Sequence, residues 1–440
     1  MNDKTFQRLN DPANLILVVL ASLGLFFNWT YARGHPGIDF YVAWAAADST
    51  RHEMGIEIYT SAGRKALEEH YRGSTQSEGT RSPRVAFASI PLLQPTAAPF
   101  LYAVVDLVST RSYGTSLAIW HTLQVLGFCF GVLVFCRLLG VSNTASLALL
   151  VAGQFWMDAY QSDLRVANVN SIQLGLLAVS FWLLGKGSKS GYLVAAGALL
   201  GMLVLFKVNL AVAGFLVLGA WLIRGDARCF LAGLSGLAIG AALAIALSSL
   251  FFGELAVWAD WWTELMYLSG HAKTAQEGNF DLLKMLGLDP GFGSRALLAV
   301  VLSALTFGAL WWGGRGAARR AGAAIAASRG PDLLEYAQMI GMGCVIYLLV
   351  SPQAWVHYYV LTLPMLIAAF RPWTQEPAHA GLTVILFRFM PLVVLLAFLN
   401  GPHWYLFSGE YHLVRGGGNV VALLILYVLG LWQLWFRNDR

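Results

Sequence analysis

The chain has 440 residues, 57% of them hydrophobic and only 12% charged, with a formal net charge of +5 and a mean hydropathy of +0.60. Soluble domains carry about 25% charged residues, so this deficit, spread over many long uncharged runs, excludes an ordinary soluble globule and indicates a polytopic membrane protein. The basic residues lie between the apolar runs, where they set membrane orientation, and nothing in their spacing suggests nucleic-acid binding.

The apolar runs lack the alternation of a barrel strand and are therefore read as helices, which satisfy their own backbone in lipid. In chain order they cover 14–31, 114–136, 142–158, 170–185, 191–206, 208–223, 230–252, 296–312, 333–350, 355–370, 381–399 and 418–436, which predicts about twelve crossings. The first run follows Lys4 and Arg8 and has no small-x-small site after it, so it reads as a retained span rather than a signal peptide.

A further apolar stretch, 86–108, carries Pro91, Pro95 and Pro99. If it does not cross, the loops on the side of the N-terminus hold Arg137, Lys186, Lys189, Arg224, Arg228, Arg315, Arg319, Arg320, Arg329, Arg371, Arg437 and Arg440. If it crosses, the strongest arginine cluster faces outward. The positive-inside rule favours the first arrangement, and three prolines favour broken, half-inserted helices. Both termini are then cytoplasmic.

The outer side receives the longer loops, 33–113, 159–169, 253–295, 351–355 and 400–417. Within the first of these, 56–72 reads as an amphipathic surface helix and 73–84 as a connector. The expected architecture is one all-α membrane-embedded domain over 1–440, with its work done at the outer mouths of the helices. Cys129, Cys136, Cys229 and Cys344 lie in or beside apolar runs and read as core thiols rather than disulfides.

Several polar residues stand where lipid or its surface is expected. Asp39 follows the first span in an aromatic setting that includes Tyr41. Lys207 and Asn209 mark the junction of two sixteen-residue runs, each about 24 Å long against a hydrocarbon thickness of about 30 Å. Such a lysine either serves a site or snorkels to the headgroups. Arg388, in the middle of 381–399, needs a partner or a watery cavity, and His121 reads as a core histidine.

The stretch 160–177 groups Asp163, Arg165, Asn168 and Asn170 at a helix start, a composition suited to hydroxyl binding, although Asn170 or Ser171 could simply cap the helix. Trp355, His357 and Tyr358 occupy an outer turn, where aromatics are also common as an interfacial belt. In 254–280, Trp258, Trp261 and Trp262 could stack on sugar rings or anchor the loop, with His271 nearby. No metal-ligand spacing and no nucleotide-binding loop is present in the sequence.

Four segments together resemble the family-87 glycosyltransferases, members of the membrane-embedded glycosyltransferase C superfamily: "GIDFYVAWAAADSTRHEMGIEIY", "RLLGVSNTASLALLVAG", "GYLVAAGALLGMLVLFKVNLAV" and "SPQAWVHYY". The resemblance runs in order over most of the chain. It departs where the family often has Gly-Gln-x-Asn and this chain has Ala167-Asn168-Val169-Asn170, and where a His-His pair is replaced by His357-Tyr358. It implies a polyprenyl-phosphate-linked sugar as donor, mannose- or pentofuranose-like. It also implies inverting transfer on the outer face of the cytoplasmic membrane, with Asp39 as base; the acceptor stays open among a glycolipid, a polysaccharide end and a protein hydroxyl.

Such a donor is already activated and is a substrate, so no cofactor is expected. The chemistry requires deprotonation of an acceptor hydroxyl and stabilisation of the departing phosphate by cations. Lys207, Arg388, Arg165 and His357 are the candidates for the phosphate. Tyr41, Asp163, Asn168, Asn170, Trp355, Tyr358, Trp261 and His271 are those for sugar or acceptor. A transporter or flippase of lipid-linked sugars is the alternative, weakened by the lack of an internal repeat. A non-catalytic membrane scaffold is a third reading.

Overall fold

The computed structural model of the chain describes residues 12–72, 86, 96–110, 112–186, 189–270, 282–288, 291–321, 332–352, 354–370, 382–398 and 411–436. Among these residues the protein is helical, with no strand.

The first helices are α1 (Pro12–Arg33), α2 (Ile38–Arg51), α3 (Ser61–Arg72), α4 (Pro99–Val108), α5 (Tyr113–Leu138), α6 (Asn143–Trp156), α7 (Asp158–Val166) and α8 (Asn170–Leu184). They are followed by α9 (Ser190–Phe206), a 3₁₀ turn Val208–Leu210, α10 (Ala211–Ile223), α11 (Ala227–Phe252), α12 (Val257–Gly270), α13 (Leu282–Met285) and α14 (Phe292–Ala321). The last group is α15 (Leu333–Val350), a 3₁₀ helix Val356–Thr362, α16 (Leu363–Phe370), α17 (Leu382–Phe398) and α18 (Tyr411–Trp435).

Side-chain caps set several starts: Ser112 accepts from the Thr115 N–H, Ser142 from Ala145, Asp226 from Cys229 and Asp332 from Leu334. Each supplies an acceptor to an N–H that has no partner within its helix.

Among the described residues, six helices are long and apolar enough to cross a membrane: Pro12–Arg33, Tyr113–Leu138, Ala227–Phe252, Phe292–Gly313, Leu333–Val350 and Gly417–Trp435. A seventh is added if α7 and α8, bent by 114°, count as one span. The other apolar helices are shorter, among them Ser190–Phe206 and Val208–Ile223 at the short runs expected on either side of Lys207, so six or seven of the expected twelve or so crossings meet this length and composition among the described residues. The run 142–158 stops at Trp156, because Met157 takes an extended conformation, and the expected loop 159–169 is largely the helix α7. α4 starts at Pro99, a position where proline's missing N–H costs nothing, and covers only about 15 Å. Most of 86–95 lies outside the described residues. Of the helix expected over 56–72, residues 61–72 form α3, while 56–60 are coil, turn and bend.

The core is built by close helix contact. α9 and α11 touch backbone to backbone, since a Cβ added at Gly197, Gly201, Gly236 or Gly240 would collide with a main-chain carbonyl oxygen of the facing helix. Small residues bring membrane helices together in this way because lipid offers no hydrophobic drive for association. α9 also packs on α8, α8 on α5, and α10 on α15. At the end away from the site, Arg224 clasps the buried Glu335, with Nε 2.6 Å from Oε1. The four cysteines are free; Cys136, Cys229 and Cys344 are buried and Cys129 is half-buried.

Candidate active site

The C-terminal ends of α1, α9 and α15 and the N-terminal ends of α2, α5, α8 and α10 meet at one end of the bundle. Asp39 stands in the first turn of α2, where the helix dipole favours a carboxylate. The turn before it is sharp: Gly37 has φ 66° and ψ 60°, and a Cβ there would sit 2.5 Å from Leu117 Cδ1 and 3.0 Å from Ala167 Cβ. The Tyr113 hydroxyl, at the start of α5, donates to the carbonyls of Pro36 and Gly37. Asp39 is thereby held with about a third of its side chain (36%) open to solvent.

Opposite it stands the hinge between α7 and α8. Ala167 is left-handed, φ 54° and ψ 46°, an uncommon conformation for a residue with a Cβ. It is fixed by α5: Trp120 Nε1 donates to Ala167 O at 3.0 Å and Gln124 Nε2 to Asn168 O at 2.5 Å and Asp163 O at 3.0 Å. The hinge directs Asn168 Nδ2 to Asp39 Oδ2 at 2.6 Å.

The oxygen of the same amide receives Lys207 Nζ at 2.7 Å, Asn170 Nδ2 at 3.0 Å and the Val169 N–H at 2.7 Å. Lys207 therefore leaves the junction of α9 and α10 and points into the site rather than to the headgroups. Its ammonium rests on neutral groups, the Asn168 and Asn170 oxygens and, 3.9 Å away, the face of Tyr358. His357 closes the far side, with Nε2 3.8 Å from Asp39 Oδ2, an ion-pair distance if the ring is charged and too long for a hydrogen bond.

The structure thus unites Asp39, Asn168, Asn170, Lys207, His357 and Tyr358. Asp163 lies beneath them and takes a different part from the one its sequence position suggests. It is fully buried and accepts from the Ser171 N–H at 2.9 Å, Ser171 Oγ at 2.6 Å and Asn170 Nδ2 at 2.9 Å. Its carboxylate caps α8 from the preceding helix, and these donors occupy it. Arg165 is exposed at the rim, near enough to help lower the His35 pKa, after burial of that ring. Trp355 opens the 3₁₀ helix Val356–Thr362 and is half-buried.

Other candidates lie elsewhere. Tyr41 is buried in an aromatic wall with Trp44, Tyr71 and Tyr113, turned away from the opening. In that wall the Tyr71 hydroxyl donates to Asp48 at 2.6 Å, and burial followed by this bond drives its pKa upward. Trp261 is buried, with Nε1 on Thr96 O at 3.3 Å, and Trp258 Nε1 meets Ser248 Oγ at 3.0 Å, so both serve to anchor α12. His121 is a core histidine, its Nε2 3.1 Å from Leu164 O. His271 lies outside the described residues, as does the side chain of Arg388 on α17.

Sequence reasoning overlooked Gln124 and Gln173. Gln173 and Asn209 exchange hydrogen bonds at 3.2 Å under Asn170. The available signal was an uncharged amide inside an apolar run, which is costly in lipid unless paired. No group of three or more His, Cys, Asp or Glu able to hold a metal occurs among the described residues.

Comparison with known proteins yields one result. The family described as glycosyltransferase family 87 matches residues 94–352, more than half of the chain. No curated protein and no solved structure matches.

Proposed function

Since this chain belongs to glycosyltransferase family 87, we propose that it transfers a sugar from a polyprenyl-phosphate donor to a hydroxyl acceptor, with inversion and with Asp39 as general base. The observation that carries the reading is a half-open carboxylate oriented by an amide 2.6 Å away and backed by a lysine whose ligands are neutral. In the reaction one Asp39 oxygen takes the acceptor proton, the acceptor oxygen bonds to the anomeric carbon, and the bond from that carbon to the phosphate oxygen breaks. Its electron pair leaves on the prenyl phosphate.

Lys207 is the cation for that phosphate, since no carboxylate directly contacts its ammonium among the described residues. Arg165 at the rim and His357 beside the base assist it. Tyr358 and Trp355 offer ring faces to a sugar, and the acceptor is a glycolipid or polysaccharide end. α4, too short to cross, borders the side entry for the isoprenoid. We place the site on the outer face of the cytoplasmic membrane with both termini inside, and the shorter helices α6, α8, α9, α10, α16 and α17 complete about twelve crossings.

The test is the Asp39→Asn variant expressed in cells that lack the wild-type gene, with glycolipids and polysaccharides compared. The variant should insert normally and fail to restore the product, a loss of about 100-fold or more for a missing base. Restoration at the wild-type rate refutes the base assignment. Movement of labelled lipid-linked sugar across vesicles without glycosidic bond formation would establish a flippase instead.

A further inference from the structure

We propose that Asn168 is a positioning residue that ties the cation site to the base: its amide, anchored at the oxygen end by Lys207, presents an N–H to Asp39. The inference rests on the reading of Asp39 as base. It assigns Asn168 to the protein's own machinery rather than to sugar binding.

An asparagine amide can usually rotate end for end, because its oxygen and nitrogen differ little in shape. Here rotation is blocked. The oxygen accepts from three donors, Lys207 Nζ, Asn170 Nδ2 and the Val169 N–H, and none of them could face an NH₂ group without loss. Asn170 cannot reverse to accommodate it, because its own oxygen receives Lys207 at 3.4 Å and Asn209 Nδ2 at 3.3 Å. The Val169 donor is main chain and is held by the hinge. The nitrogen end is therefore directed at Asp39 Oδ2, 2.6 Å away.

Two consequences follow. The carboxylate is held in one rotamer, and it receives a donor polarised by the ammonium on the other end of the amide, a charge-assisted bond of the stronger kind. A phosphate arriving at Lys207 draws on the same ammonium. Donor binding and the strength of the base are then linked through one side chain. The other ionisable or charged groups around Asp39 are Tyr41 on its own helix, His35 before it, Tyr113 on α5, Asp163 and Arg165 on α7, and His357 and Tyr358 on the 3₁₀ helix. Asn168 Nδ2 at 2.6 Å and His357 Nε2 at 3.8 Å both lie within 4 Å of Asp39 Oδ2.

The experiment compares Asn168→Ala with Asn168→Asp. Aspartate keeps the shape and the oxygen that Lys207 needs, but turns the N–H facing Asp39 into an oxygen. Two readouts are taken on the full-length protein: product restored in cells lacking the gene, and affinity of the purified protein for farnesyl methyl phosphate. That probe is a phosphodiester with a permanent negative charge, like the donor. Asn168→Ala should lower product formation by about tenfold to a hundredfold, the worth of one hydrogen bond to a charged group, with affinity for the probe changed less than about threefold. Asn168→Asp should be the more severe of the two at unchanged thermal unfolding.

If Asn168 only fills space or contacts sugar, the isosteric aspartate will be the milder variant, and that order overturns the proposal. Should the aspartate variant unfold, Lys207→Met combined with Asn168→Ala decides. Losses smaller than the product of the two single losses support the link, and full multiplication refutes it. Product restored by Asp39→Asn would instead defeat the underlying reading of Asp39 as base, and no binding of the probe by the wild-type protein would defeat the prenyl-phosphate donor.

Discussion

Asp163→Asn should destabilise the protein, although the change removes only a charge and keeps the size. Asp163 is wholly buried, and the groups around it, the Ser171 N–H, the Ser171 hydroxyl and Asn170 Nδ2, all donate to it. A carboxylate accepts on both oxygens, whereas an amide accepts on one and donates on the other. If the new NH₂ faces Ser171, it meets a main-chain N–H that cannot reverse. If it faces Asn170, that side chain must turn over and give up Lys207 and Asn209.

Either arrangement loses at least one hydrogen bond to a charged group, about 1.5–3 kcal/mol, and leaves a buried donor facing a donor, about 1–3 kcal/mol more. The sum is about 2.5–6 kcal/mol, and α8 loses its cap. Thermal unfolding of the purified protein, followed by tryptophan fluorescence, should show a midpoint lowered by several degrees. Asp163→Ala should be no worse. An unchanged midpoint together with weakened acceptor binding would refute the structural role and return Asp163 to the proposed sugar- or acceptor-binding residues.

Gly240→Ala should cost about 1–3 kcal/mol by forcing α9 and α11 apart, while Gly308→Ala, where a Cβ meets nothing within 4 Å, should be neutral or slightly stabilising in the same unfolding assay. Arg224→Met should cost about 3–5 kcal/mol, because it strands Glu335, whose side chain is only 5% exposed, and adding Glu335→Gln should recover most of that loss. Burial and then Arg165 lower the His35 pKa below its ordinary 6.5, so the folded state binds fewer protons than the unfolded one between the two values. Stability should therefore fall as pH drops through 6.5 towards the folded pKa, and His35→Gln should flatten that slope in unfolding measured against pH.

The sequence by itself determined that the chain is helical and lives in lipid, because hydrophobic run length and charge depletion act locally and admit few alternatives. It also singled out Asp39, Lys207, Asn168, Asn170, His357 and Tyr358, since polar groups bordering apolar runs are costly enough to stand out. What each one does was decided only by the fold. Asp163 and Asn168 lie five residues apart in the same polar cluster, yet one is a buried cap and the other donates to Asp39. The difference comes from a left-handed Ala167 and from donors on α5, α8 and the α9–α10 junction. Tyr41, two residues after Asp39, points into an aromatic wall because helical geometry turns it about 200° away. Helix bounds were likewise not legible: the apolar run 142–158 shows no break, yet the helix ends at Trp156, where Met157 is extended and α7 begins. Hydropathy is a property of a segment, whereas hydrogen-bond partners from distant segments exist only once the chain has folded.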